Sequence, residues 1–245
     1  VQQRLPSLID PPITFAHRGA KAHAPENTLE AFELALRLGA TGLESDVWLT
    51  ADGAAVLDHD GVVRNGLRKR PISEFPRSEL PAHIPTLLEL LEACGTEFSL
   101  SLDLKDPASA TAIVEVVGAV DERMLARTWL CEPGLDRVIE LRELLGDSPI
   151  RLLQTTRLER IKGTPEQRAD HLARHRVDGI NLHRTDWNGG LVALFHRFGL
   201  MAFGWDMQHD HELRSGLRMG LDAVYSDYVD RMVDAYRGEI GGPLI

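Results

Sequence analysis

The chain has 245 residues, with 27 basic against 37 acidic side chains and a formal net charge of −10. Apolar residues make up 43% and charged residues 26%, proportions that exclude a disordered or collagen-like polypeptide. The acidity excludes general nucleic-acid binding, which needs a basic footprint for the phosphate backbone.

From Ile13 onward, short β-rich runs alternate with amphipathic stretches. Ile13–His17 reads as a first strand, followed by a helix over Thr28–Leu38 with Leu29, Phe32 and Leu36 on one face. Asn27 stands where an N-cap is expected, with Glu30 in the capping-box slot. A second strand over Gly42–Trp48 leads into a long interval, Ala55 to Thr86. It begins as a short extended finger, Ala55–Asp60, and continues as a segment punctuated by Pro71, Pro76, Pro81 and Pro85. That segment is expected to cross the mouth of the fold. Helix Leu87–Cys94 and strand Phe98–Lys105 follow, then helix Ala108–Val120 and strand Arg127–Cys131. Next come helix Leu135–Leu145, strand Ile150–Gln154, helix Pro165–Arg176 and strand Gly179–His183. Helix Gly190–Phe198, strand Leu200–Trp205, helix His211–Met219, strand Ala223–Tyr225 and helix Tyr228–Tyr236 complete the series, with Gly238–Ile245 read as a loose tail. Eight strand-then-helix units in a chain of this length predict a closed (β/α)8 barrel in one domain, with an open doubly wound sheet as the structural alternative.

No run of ~18 apolar residues is present to span a membrane. Cys94 and Cys131 form no spaced pattern and read as small apolar fillers. Val1–Pro12 lacks the layout of a secretory signal. The cytoplasm is therefore the expected compartment, with a signal upstream of Val1 left open.

In a barrel, the strand C-termini carry the chemistry. Leu100, Leu102 and Leu104 alternate with Ser101, Asp103 and Lys105, so leucines packed on the helices leave Asp103 and Lys105 facing inward. The same period sets Glu44 and Asp46 on one side of the second strand, His17 ends the first strand, and His59 sits on the finger. Crowded inward carboxylates either take up protons or share a cation. An all-oxygen set of three suits Mg²⁺ or Ca²⁺, whereas zinc prefers nitrogen or sulfur donors. Arg18 and Lys105 suit a phosphoryl oxyanion, and two histidines suit the proton transfers of an in-line displacement. Taken singly, each of these features also has a structural explanation, as a salt bridge or a solvated strand end.

The ordered set His17-Arg18-Gly19, Pro25-Glu26-Asn27-Thr28, Glu44-x-Asp46, Asp52-Gly53 and His59-Asp60 resembles the glycerophosphodiester phosphodiesterases. These belong to the barrel phosphodiesterases related to phosphatidylinositol phospholipase C. Asp103-Leu104-Lys105, Gly204-Trp205-Asp206 and Gly220–Asp227 extend the likeness over most of the chain. The resemblance implies metal-dependent cleavage of glycerophosphodiesters to sn-glycerol 3-phosphate and an alcohol. Glu44, Asp46 and Asp103 would hold one divalent cation, Mg²⁺ or Ca²⁺. His17 and His59 would be the acid–base pair, Arg18 and Lys105 would bind phosphate, and Trp205 would wall the substrate pocket.

Two departures stand out. The third ligand is Asp103 where the family more often has Glu, and the interval after His59 is shorter than usual. Arg64, Arg68, Lys69, Arg70 and Arg77 crowd that interval, either as a solvated basic loop or as a weak contact for anionic lipid head groups. Asp103 also fits the Glu, Asp, Asp pattern of lysophospholipase D and sphingomyelinase D-like barrels, which form the enzymatic alternative. A non-catalytic barrel that binds phosphate esters is the alternative from another class. Asn181, His183 and Gln154 are positions that could touch the leaving alcohol. Asp186–Gly190 reads as a helix-start loop, His209 and His211 as surface groups, and His171 with His175 as a candidate i, i+4 metal clip.

Overall fold

The computed structural model describes residues 4–65 and 68–241. In chain order it contains β1 (Ile13–Ala16), α1 (Leu29–Leu38), β2 (Gly42–Leu49), β3 (Ala55–Leu57), β4 (Val62–Asn65), β5 (Arg68–Pro71) and α2 (Leu87–Cys94). β6 (Ser99–Leu104), α3 (Ser109–Val120), β7 (Thr128–Glu132), α4 (Leu135–Leu145), β8 (Arg151–Thr156) and α5 (Pro165–Arg174) follow. The chain continues through β9 (Gly179–His183), α6 (Gly189–Arg197), β10 (Met201–Trp205), α7 (Asp210–Arg218), β11 (Ala223–Ser226) and α8 (Val229–Glu239).

β1, β2 and β6 to β11 pair in parallel, neighbour to neighbour. β1 pairs with both β11 and β2, in registers such as Ala16↔Ser226 and Phe15↔Gly42, and so closes the ring as a (β/α)8 barrel. The closed ring, rather than an open sheet, follows from those two pairings.

Two apolar layers hold it. Phe15, Trp129, Leu153, Phe203 and Tyr225 fill the barrel interior, with Phe15 stacked on Tyr225 at 4.7 Å. Residues of opposite parity, Leu100, Leu102 and Leu104 on β6 among them, pack outward against the helices. The period-2 alternation thus separates two buried faces, as expected for parallel strands covered by helices. Gly42 has to be small: a Cβ there would lie 2.5 Å from the Phe15 ring.

α1 starts one residue later than the sequence suggests. Thr28, in extended backbone, is the N-cap, and its hydroxyl accepts from Ala31 N–H at 3.2 Å. Asn27 instead adopts φ +55° and is released for another role. β3 runs antiparallel to the end of β2, as the extended finger predicted. The proline-rich segment forms the β4–β5 hairpin and two 3₁₀ turns over a small core of Val56, Ile72, Leu80 and Ile84. In that segment Arg64 pairs with Asp60, Arg70 with Glu74 and Arg77 with Glu89, at 3.7, 2.9 and 3.1 Å, while the Arg68 side chain lies outside the described residues. Gly238 is helical rather than part of a tail, and 242–245 lie outside the described residues. Both cysteines are free thiols. No helix among the described residues is long and apolar enough to cross a membrane.

Asp222, fully buried ahead of β11, accepts from Leu8, Ile9 and Ala202 N–H and from His196 Nε2. It pins the N-terminal segment to the barrel floor. Asp222→Ala strands several buried donors at once, so we expect a loss of ~3–5 kcal/mol, measured as the urea unfolding free energy.

Candidate active site

Inward parity and parallel register create the central cluster. In the β2–β6 ladder Asp46 lies opposite Asp103 and Glu44 opposite Ser101, so three acids share one end of the barrel. Glu44, Asp46 and Asp103 each place an oxygen within 4.8 Å of the others, and Glu44 and Asp46 are buried.

Like charges that close are costly unless compensated. Burial drives the Glu44 carboxyl upward, and Asp46 and Asp103 add to the rise against His17 and the Arg18 N–H, bringing it to about 8. Burial and Asp46 likewise raise Asp103, against Lys105. Asp46 is compensated more fully: Lys105 Nζ reaches its Oδ1 at 2.9 Å and Arg18 Nε its Oδ2 at 3.3 Å. Lys105 also approaches Asp103 at 3.5 Å. Two carboxyls with raised proton affinity beside a cation-matched third form a set that fits a hard divalent ion, which would replace the protons they otherwise retain.

Asn27, expected to cap α1, serves this cluster. Its side chain donates to Asp46 Oδ2 at 3.3 Å and accepts from Ser45 Oγ at 2.7 Å. Glu26 receives the Arg18 guanidinium through two contacts of 3.1 Å. The Pro25–Thr28 run therefore braces the site, and helix capping falls to Thr28 alone.

His17, just past β1, faces Glu44 with Nε2 at 3.8 Å. Its Nδ1 lies 2.5 Å from Asp227 Oδ1. Burial works against ionisation of Asp227, yet the His17 hydrogen bond and the charges of His17, Lys21 and Arg18 together outweigh it and hold that carboxyl below its usual range. An ionised carboxylate only accepts, so Nδ1 carries the hydrogen and Nε2 is the open nitrogen. Burial pulls the His17 pKa down, but Glu44 and Asp227 overcome it and raise the imidazole above its ordinary value.

A cavity of about 290 Å³ opens beside this group, lined by His17, Arg18, Glu44 and Asp103 on one side and by Thr155, Asn181, Trp205 and Tyr225 on the other. Trp205, one of those lining residues, stands edge-on to His183 at 4.6 Å. Thr155 Oγ1, Asn181 Oδ1 and Trp205 Nε1 are buried without hydrogen-bond partners. Three unpaired polar atoms on one concave wall suit a ligand bearing hydroxyl groups.

His59 is not among the residues lining that cavity. It follows Asp58, whose N–H donates to the Asp46 carbonyl at 3.1 Å, and its half-exposed ring contacts Asp60 at 3.0 Å. Gln154 is also turned away: its amide bonds the Pro133 carbonyl and Arg168, and the neighbouring Thr155 faces the cavity instead. His183 pairs with Asp206 at 3.0 Å. His175 Nδ1 is engaged by the His171 carbonyl at 2.8 Å, so that nitrogen is unavailable for the metal clip considered for the pair. His209 and His211 are exposed, as expected of surface groups. Asn188 caps α6, as a helix-start loop requires.

The site-specific residues that sequence reasoning missed are Asp227 as the partner of His17, along with Thr155, Tyr225 and Gln208 on the cavity wall. For Thr155, Tyr225 and Asp227 the position at or just past a strand end was the available signal, whereas Gln208 lies three residues beyond β10.

Comparison with known proteins identifies the family and the fold. Residues 17–231 match the model of the glycerophosphoryl diester phosphodiesterase family. The chain is 25% identical over 250 residues to a glycerophosphodiester phosphodiesterase of Caldanaerobacter subterraneus subsp. tengcongensis, covering 92% of this chain and 98% of that one. Its fold is similar to a glycerophosphodiester phosphodiesterase from Thermotoga maritima, with a TM-score of 0.76, 24% identity and coverage of 91% and 97%. It is similar also to an Oleispira antarctica phosphodiesterase solved in complex with the product sn-glycerol-3-phosphate, with a TM-score of 0.75, 24% identity and coverage of 91% and 96%. The chain belongs to the glycerophosphoryl diester phosphodiesterase family.

Proposed function

We propose that this protein hydrolyses glycerophosphodiesters to sn-glycerol 3-phosphate and an alcohol, with His17 as a proton-transfer group beside a cation held by Glu44, Asp46 and Asp103. One observation carries the reading. A histidine with a fixed tautomer and two of the three crowded carboxyls, Glu44 and Asp103, line a cavity whose opposite wall carries unpaired hydroxyl, amide and indole groups.

A bound Mg²⁺ or Ca²⁺ would supply positive charge to polarise the phosphoryl group. The chain's own groups do the rest. Arg18 and Lys105 flank the acids and neutralise phosphoryl oxygens as negative charge develops. His17 Nε2 accepts the proton of the attacking hydroxyl, while Asp227 stabilises the imidazolium that forms. His59, on the finger beside β2, is the proposed donor to the leaving alcohol. Release of a cyclic glycerophosphate would mark attack by the substrate's own hydroxyl rather than by water.

The unpaired atoms of Thr155, Asn181 and Trp205 support a polyol as the moiety bound in the cavity. An acyl chain there would leave all three unsatisfied, so this wall favours glycerophosphodiesters over lysophospholipids. The test is turnover of glycerophosphocholine against lysophosphatidylcholine. We expect glycerol phosphate release from the first, abolished by excess EDTA and restored by Mg²⁺ or Ca²⁺. Undiminished turnover in EDTA would refute the cation's role, and preference for the lysolipid would refute the polyol subsite.

A further inference from the structure

Between β10 and α7, the side chain of Gln208 bridges two strand ends. Its Oε1 accepts from Asp227 N–H at 3.0 Å and from Ser226 Oγ at 3.2 Å, and its Nε2 donates to Asp206 Oδ1 at 3.2 Å. The amide orientation is dictated by the partners. A backbone N–H can only donate and an ionised carboxylate can only accept, so oxygen faces Asp227 and nitrogen faces Asp206.

Both ends of the bridge are held. Asp206 has φ +63°, a conformation uncommon for a residue other than glycine, and its other oxygen is gripped by His183 and Arg184 at 3.0 and 3.4 Å. The Gln208 backbone N–H donates to Glu212 Oε2 at 3.0 Å, at the start of α7. At the far end, Asp227 carries the carboxylate that takes His17 Nδ1. Ser226 and Asp227 lie where β11 meets β1, the seam that closes the barrel. A lateral shift of that seam would move the carboxylate away from the imidazole.

We propose that Gln208 is a positioning residue: by tying Asp206 to the Asp227 backbone, it holds the Asp227 carboxylate against His17 and fixes the imidazole with Nε2 toward the reacting phosphate. The inference rests on the reading of His17 as a proton-transfer group. It predicts an effect on kcat that passes through Asp227, distinct from any effect on KM that Gln208 exerts as part of the cavity wall.

A double-mutant cycle on glycerophosphocholine hydrolysis in saturating Mg²⁺ tests it. Gln208→Leu should lower kcat by about 10- to 100-fold with KM changed less than about threefold, the size seen when a histidine's supporting partner is lost. In an Asp227→Asn background the same change should lower kcat less than about twofold. A second pair of variants guards against a simple packing defect. Gln208→Glu keeps the acceptor for Asp227 N–H but sets a carboxylate against Asp206. Combining it with Asp206→Asn reverses the donor and acceptor, and should recover most of the kcat lost in Gln208→Glu alone.

Equal losses in both backgrounds, a change confined to KM, or a swap no better than Gln208→Glu alone would each overturn the proposal. The His17 ring Nδ1–H proton signal gives a readout apart from activity: it should stay at low field in wild type and be lost in Gln208→Leu. If His17→Ala leaves turnover intact, the acid–base reading itself has failed. If His17→Ala removes turnover and Gln208→Leu does not, only the positioning role has failed.

Discussion

His17→Ala should lower kcat for glycerophosphocholine by ~10²–10⁴-fold, the range of a lost general acid–base group. Two geometric facts place the effect in kcat. Nδ1 is engaged by Asp227 at 2.5 Å, and Nε2 lies 3.8 Å from Glu44, on a ring that lines the cavity. Asp227→Asn should reproduce much of the loss while preserving size, because an amide can offer its N–H to Nδ1 and shift the ring hydrogen to Nε2. Leaving-group dependence separates the two histidines. If His59 protonates the departing oxygen, His59→Ala should impair glycerophosphocholine hydrolysis strongly, yet have little effect on a p-nitrophenyl diester whose leaving group needs no proton. His17→Ala should impair both. Steady-state kinetics on the two substrates decides the matter, and equal penalties for His59→Ala would remove it from the acid role.

How much of this site could be read beforehand depends on whether the signal was local. The alternation on β6 announced itself, since Leu100, Leu102 and Leu104 could only face the helices, leaving Asp103 inward. Glu44 and Asp46 followed from the same period on β2, and the parallel register then set Asp46 beside Asp103. Asp227 was not accessible in this way. It lies 210 residues from His17, and the two meet only because β1 closes against β11. Asn27 was misread for another reason: as a short polar residue it suits both an N-cap and a positive φ. Nothing local shows which of Asn27 and Thr28 faces the buried Asp46. Gln154 and Thr155 illustrate parity. A strand boundary in error by one residue exchanges the inward and outward faces, and Thr155 is the one that lines the cavity.

Glu44→Gln should separate stability from activity. Burial first, then Asp46 and Asp103, raise this carboxyl to about 8 in the folded chain, against an ordinary value of 4.5. The folded state thus binds more protons than the unfolded one between those two values. With no cation bound, stability is greatest at and below pH 4.5 from this group alone, and falls as pH rises toward 8. A divalent ion replaces the proton, so the rise in Tm on adding Mg²⁺ or Ca²⁺ should be larger at pH 8 than at pH 6. An amide at position 44 carries no charge to bury. In EDTA at pH 8 the variant should unfold higher than wild type, by ~2–4 °C for each kcal/mol of relieved repulsion in a chain of this size. It should also show a much smaller cation-induced shift. Turnover should fall by at least about 10²-fold, because charge stabilisation worth several kcal/mol is lost with the ligand. Calorimetry with and without cation at the two pH values checks each part. A Glu44→Gln variant that is less stable than wild type in EDTA at pH 8 would mean the Glu44 carboxylate is a net stabiliser, paired rather than crowded, and the case for an ion among these three acids would lose its physical basis.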